Sequence, residues 1–465
     1  MSLRSKESGK LVMDEHVSVG SQGPFSLLMR LHGDPEMSAC WSDERSFTLW
    51  TQVEAALAQS QADLGIITPS AAEDIASAAL EVANAGADAI WPSAANVGYP
   101  ILPVVRLLDE RAGRGKGRVH LGATTQDIMD CAFAIQMGDA TDLLIRRAFR
   151  VGDLLAGLTE LHASTVMAGR THAQQAVPTT FGAKLAVFLD QVSRCVDRLA
   201  YERALVARVS LFGAAGTSAA LGKQSGALRD RLAERLGLQS SDVPWHVGRD
   251  AFFIQSANAI ALSQVAHRLA KEVIDLSRTE VREVSEETGV HRGASSTMPQ
   301  KSNPILSEAI IGFAVSASSL LPAAARMVEP GHERSAGEWQ VEWQVLPELF
   351  VLVSSALLQA ASLLEGLRVD ATAMRANLAR DHGLLMAEAY MMALAPILGR
   401  EQAHDVVYSA CLEARRTDAD LRSTLEGVLS EEHRALVSGV EPENYLGEAR
   451  EVCATVVARW RTRST

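Results

Sequence analysis

The sequence predicts an all-α protein of three helical regions, the middle one an elongated bundle. Aromatic residues make up only 5% of the 465 positions while apolar residues reach 47%, so the core must be built from Ala, Leu and Val. No run of alternating β-branched residues bounded by turn signals reads as a strand. Two segments carry long apolar stripes at helical spacing: Leu185, Leu189, Val192, Val196 and Leu199, with Asp190, Arg194 and Asp197 on other faces, and Leu262, Val265, Leu269, Val273 and Leu276. The second lies in "AFFIQSANAIALSQVAHRLAKEVIDLSRTEVREVSEE", whose pattern extends for some ten turns. Helices of that length pack side by side in bundles.

Taken in order, the opening "MSLRSKESGKLVMDEHVSVG" has no apolar core of the kind a signal peptide needs and reads as an expression scar or a frayed arm. An N-terminal helical domain is expected over 1–112, ending in the glycine- and charge-rich "DERAGRGKGRVHLG" (109–122). The long-helix domain with its punctuated loop is expected over 113–364. "LEGLRVDATAM" (364–374) separates it from a C-terminal helical domain, 365–465. The longest apolar stretch, "AIIGFAVSASSLLPAAA" from Ala309, contains three serines and Pro322. It falls short of the ~20 predominantly apolar residues of a membrane span and reads as a bundle helix.

The net charge of −12 supplies no basic face for a nucleic-acid backbone, so no nucleic-acid partner is expected; no membrane partner is expected either. Five scattered cysteines (Cys40, Cys131, Cys195, Cys411 and Cys453) show no CxxC spacing. Neither a disulfide framework nor a metal site is suggested, and a reducing, cytoplasmic setting follows.

The most informative stretch is "GASSTMPQKSNP" (293–304). Gly289 and Gly293 suit a helix stop and a turn. Asn303 then reads as an N-cap and Pro304 as the first residue of the next helix. A helix N-terminus with Lys301 beside it outlines a carboxylate site. A polar interhelical loop would explain any one of these features, but less easily all of them together.

From Ser295 to Pro304 the stretch resembles the G-S-S-x-M-P-x-K-x-N-P signature of the fumarase/aspartase superfamily at seven fixed positions, with Ala294 in place of the glycine. The resemblance implies that Ser295 is a general base taking a proton from the carbon beside a carboxylate, and that Lys301, Asn303 and the loop amides around Met298 stabilise the charge that develops. "GRTHAQQAVPTTFG" (169–182), placed before the first long helix, is similar to the second family patch, which makes Thr171 a substrate contact and His172 a proton relay. Glu308, five residues after Asn303, is the carboxylate the family pairs with that histidine. "HLGATTQDIMDCA" (120–132) is similar to the first patch, whose carboxylate-gripping residues fall on Thr124, Thr125 and Gln126, with His120 ahead of them. A plain N-capped helix start is compatible with the same residues.

The family reading implies a homotetramer in which long helices from four chains form a central core and each active site draws on three subunits. It implies a small anionic di- or tricarboxylate substrate and no cofactor. Among subgroups, "HGDPEMSACWSDERSF", "PWHVGRDAFF" and "HERSAGEWQVEWQVLPE" resemble the 3-carboxy-cis,cis-muconate cycloisomerase family most and adenylosuccinate lyases next, with Arg249 and Arg334 as substrate contacts. Cycloisomerisation is thus the expected reaction, elimination from an N- or O-substituted succinate the alternative. A catalytically silent helical scaffold is the reading from another class.

Overall fold

The computed structural model describes residues 27–287, 292–334 and 336–463. The N-terminal arm and Gly289 lie outside the described residues. The chain divides into two compact units, one of residues up to 140 with 207–247 and 332–334, the other of 141–206, 248–331 and 335 onward.

In the first unit the helices Asp43–Asp63 and Pro69–Ala85 pack against each other over Ala58, Ile67, Ala71, Ala72 and Ile75. Both begin at side-chain caps: Ser42 Oγ accepts from the Arg45 amide and Thr68 Oγ1 from that of Ala71, with Pro69 opening the helix. Helix Ile101–Arg111 ends at the expected glycine-rich stretch. After it the chain turns through His120 and Gly122, both left-handed, and enters the 37-residue helix Thr125–Leu161.

That helix, which ends in the second unit, precedes the 169–182 patch, so the patch does not stand before the first long helix. The expectation of no strands also needs correction. Val166–Thr171 and Gln174–Thr180 form an antiparallel hairpin, with an irregularity between Ala168 and Arg170. A polar tip and Pro178 hide the period of two that a strand needs to be read.

The hairpin leads into the helix Phe181–Val206, which packs beside Asp250–Ser277; Ile305–Ser319 and Glu338–Glu365 complete the group. The Asp250 helix runs 28 residues, about eight turns rather than ten. It stops because Arg278 turns extended (ψ 145°) and the chain runs on to pair Val284–Ser285 with Arg368–Val369. Buried Glu283 fixes that exit, taking hydrogen bonds from Arg170 on the hairpin and from Asn377. Ala387–Leu398, Arg400–Thr417 and Leu421–Val428 close a C-terminal cluster around Tyr390, Leu394, Leu421 and Leu425. Two apolar runs, Ile305–Val328 and Glu338–Glu365, are long and apolar enough to cross a membrane, but they pack against each other and against the Asp250 helix, with 72% of the second run's apolar window buried.

One close approach tests this packing. A Cβ at Gly152 would stand 2.0 Å from the buried Trp460 ring, whose Nε1 donates to Asp153. Gly152→Ala should therefore lose about 1–3 kcal/mol of stability despite the better helix propensity of alanine. Urea denaturation would show it, and an unchanged or raised midpoint would contradict the packing.

Candidate active site

The first patch is built around a carboxylate. Asp127, wholly buried in the first turn of the Thr125–Leu161 helix, accepts from the backbone amides of Thr124 (3.0 Å), Phe212 (3.0 Å) and Gly213 (2.9 Å), and its Oδ1 lies 2.8 Å from His246 Nε2. The donors of the helix N-terminus and of the Phe212–Gly213 loop thus converge on one side chain. It locks the backbone of Thr124 at the helix entry, with Thr125 as the first helical residue. Gln126, also buried, donates through Nε2 to the His246 carbonyl at 2.9 Å and accepts through Oε1 from Arg334 Nε at 2.9 Å. The fold thus joins Gln126 to Arg334, 208 residues apart in sequence, while a second guanidinium nitrogen of Arg334, Nη2, is buried with no hydrogen-bond partner among the described residues.

His120 stands at the entrance to the same patch. Its Nδ1 lies 2.6 Å from Glu54 Oε1 on the Asp43–Asp63 helix. Burial disfavours a charged ring there, but the hydrogen bond and charge of Glu54, with Asp127 further off, outweigh burial and raise its pKa above the ordinary 6.5.

The third patch is a loop pinned at both ends. Ala294 bridges to Ser302, and the Asn303 amide donates to the Gly293 carbonyl at 2.8 Å. Gly293 has φ +65°, and a Cβ there would meet the Asn303 carbonyl oxygen at 2.5 Å, so glycine is required. Within the loop Ser295 Oγ accepts from the amides of Thr297 (3.2 Å) and Met298 (3.0 Å). Those two donors stabilise negative charge on Oγ. Met298 and Lys301 are exposed beside it and Asn303 is half-buried.

The helix that follows starts at Ile305, with Pro304 rather than Asn303 at the cap position and no side-chain cap hydrogen bond from it. The anion at this helix N-terminus is the protein's own Glu286, whose carboxylate accepts from the amides of Leu306 (3.1 Å) and Ser307 (2.8 Å) and from Ser307 Oγ (2.7 Å). The helix N-terminus expected to receive a carboxylate thus receives one from the protein itself.

Thr171 and His172 form the exposed tip of the hairpin, with His172 and Ala173 both at positive φ. Glu308 is exposed on the first turn of its helix. Among the described residues of this single chain no hydrogen bond or ion pair joins His172 to Glu308 or to Ser295. Arg249 is deeply buried at the start of the Asp250–Ser277 helix, its Nε 2.7 Å from Glu342 Oε1 and its Nη2 on the other oxygen. Its guanidinium is thus engaged in an internal ion pair. No three His, Cys, Asp or Glu side chains among the described residues cluster as metal ligands.

Sequence reasoning passed over Glu54, Asp127 as a hub, Glu286 and His246. Glu54 left a signal: it is a charge inside the buried stripe Phe47, Trp50, Glu54, Leu57 and Gln61.

A mainly helical scaffold carries these three patches, and comparison with known proteins shows its class to be that of the lyases. Residues 30–318 match the Lyase family and residues 383–456 the C-terminal domain of adenylosuccinate lyase. The chain is 40% identical over 429 residues to a 3-carboxy-cis,cis-muconate cycloisomerase of Pseudomonas aeruginosa, covering 89% of this chain and 92% of that one. It is 35% identical over 445 residues to an N-acetyl-S-(2-succino)cysteine lyase of Dickeya dadantii, covering 93% and 96%. The crystal structure of 3-carboxy-cis,cis-muconate lactonizing enzyme from Pseudomonas putida superposes with a TM-score of 0.86 at 33% identity, over 95% of this chain and 100% of that one. The chain belongs to the fumarate lyase superfamily and is an enzyme of it, which removes the silent-scaffold reading.

The Glu54–His120 pair has a pH signature. A folded-state pKa above the unfolded one contributes stability that is complete below the unfolded value and is lost as pH rises through the folded one. The stability gap between wild type and His120→Gln should therefore be wider at about pH 6 than at about pH 9. Urea titrations at both pH values would read it, and a gap independent of pH would contradict the pairing.

Proposed function

We propose that this enzyme catalyses reversible addition and elimination beside a carboxylate, and that its reaction is the interconversion of 3-carboxy-cis,cis-muconate with its lactone in aromatic catabolism. The observation that carries the chemistry is Ser295 Oγ held between two backbone amides in the signature loop. In the eliminating direction Ser295 takes the proton from the carbon next to a substrate carboxylate. Lys301, Asn303 and the amides near Met298 meet the charge that then spreads onto that carboxylate. In the lactonising direction a carboxylate oxygen of the substrate adds across the double bond and the proton returns to the neighbouring carbon.

His120, Thr124, Thr125, Gln126 and Arg334 are proposed to grip a substrate carboxylate, with Thr171 contributing from the hairpin. His172 relays a proton and pairs with Glu308 of another subunit, which accounts for their exposure in the single chain. This requires a homotetramer with shared sites, and the exposed apolar side chains Tyr201, Ile254 and Val315 on three of the long helices supply surface for it. A cytoplasmic setting fits five cysteines left free of one another. Arg249, whose ion pair with Glu342 holds the start of its helix, is proposed as a further substrate contact.

The substrate assignment is supported by the cycloisomerase relatives. Elimination from a substituted succinate with release of fumarate is the second reading, favoured by the succinocysteine lyase relative and by retention of His172 to protonate a leaving group. Ultraviolet assays with 3-carboxy-cis,cis-muconate, N-acetyl-S-(2-succino)cysteine and adenylosuccinate separate the two. Ser295→Ala should lower kcat at least ~10²-fold, in the range lost with a positioned base, while leaving the melting curve unchanged. A variant that keeps most of the wild-type rate would remove Ser295 as the base.

A further inference from the structure

Glu54 occupies a position where helix packing calls for an apolar residue. Phe47, Trp50, Glu54, Leu57 and Gln61 fall at spacings of three and four along the Asp43–Asp63 helix, and all five are buried. The Glu54 side chain has no exposed surface; Oε1 meets His120 Nδ1 at 2.6 Å, and Oε2 is buried with no hydrogen-bond partner among the described residues. A carboxylate with half its acceptors empty is costly to bury, and one hydrogen bond to an imidazole returns only part of that cost. The charge therefore points to a use other than stability.

Its one partner indicates what that use is. Gln61 lies seven residues further along the same face, and its Nε2 donates to the Leu121 carbonyl at 2.7 Å. The helix thus holds the His120–Leu121 turn twice, once by the imidazole and once by the backbone. In the turn His120 lies at φ +63°, a region that disfavours a side chain, while Gly122 at φ +82° adopts it freely. A histidine persists in that region only where its surroundings over-determine it. With Glu54 accepting from Nδ1–H, the other ring nitrogen, Nε2, has no hydrogen-bond partner among the described residues. The ring keeps 20% of its surface open, four residues before Thr124.

We propose that Glu54 is a positioning residue of the active site, holding the His120 imidazole so that Nε2 is offered to the substrate carboxylate gripped by Thr124, Thr125 and Gln126. This rests on the superfamily reading of the first patch. The protonated ring then stands between two carboxylates, one fixed in the protein and one brought by the substrate. Glu54 itself touches no substrate.

The test uses the full-length assembled protein with Glu54→Gln, His120→Gln and the double variant. Glu54→Gln should leave the fold intact, losing at most the pH-dependent stability of the pair, while KM for 3-carboxy-cis,cis-muconate rises roughly 10- to 100-fold, the scale of a lost hydrogen bond to a charged group, with a smaller change in kcat. The double variant should be no worse than His120→Gln, because the two residues act as one. Wild-type kinetics in Glu54→Gln, or losses that simply multiply, would overturn the proposal. The imidazole nitrogen resonances of His120, assigned by their absence in His120→Gln, give a readout independent of the substrate assignment. In wild type Nδ1 should be protonated and hydrogen-bonded, and fumarate should shift Nε2; in Glu54→Gln fumarate should leave it in place. A wild type silent on muconate would sink the substrate reading alone, whereas an Nε2 resonance that ignores fumarate in the wild type would sink the positioning role.

Discussion

Asp127 places both its carboxylate oxygens, with no surface exposed, among three backbone amides and a histidine. Those amides come from the entry to a 37-residue helix and from the loop at Phe212 and Gly213, so one side chain ties the start of the helix that carries Thr124, Thr125 and Gln126 to that loop. Removing one partner from such a buried, hydrogen-bonded charge costs far more than the net worth of any single bond in it. The position of the first patch depends on this constraint.

The other two patches use different means. The Ser295 loop is fixed by backbone pairing at its base and by a glycine no other residue can replace without collision. Glu286 fills the neighbouring helix N-terminus from below. The hairpin carries Thr171 and His172 at a turn held through Arg170 and Glu283, in which the buried carboxylate again fixes a loop from behind. The repeated pattern is a charge spent inside the protein so that an exposed loop holds one shape.

The all-α class was legible because stripes such as Leu185 to Leu199 are long enough to reveal their period, and the signature loop because its unusual residues are contiguous. The hairpin was not legible, since Pro178 and the polar tip erase alternation, and the end of the Asp250 helix was masked by Val281 and Val284 continuing an apolar rhythm into a short ladder. Contacts such as Gln126 with Arg334 and Arg249 with Glu342 join residues far apart in sequence, and no local pattern announces them. Glu54 was visible as a charge in a buried stripe, but its partner lay 66 residues away.

In the proposed function Ser295, His172 and Glu308 belong to one catalytic site although one chain leaves them unjoined. The most direct measurement mixes Ser295→Ala and His172→Ala proteins, each inactive alone, under conditions that exchange subunits, and assays the reassembled product. A site built across subunits predicts that activity returns, because some sites in mixed assemblies receive an intact Ser295 from one chain and an intact His172 from another. Mixtures shown to have exchanged subunits that stay as inactive as either parent would contradict it.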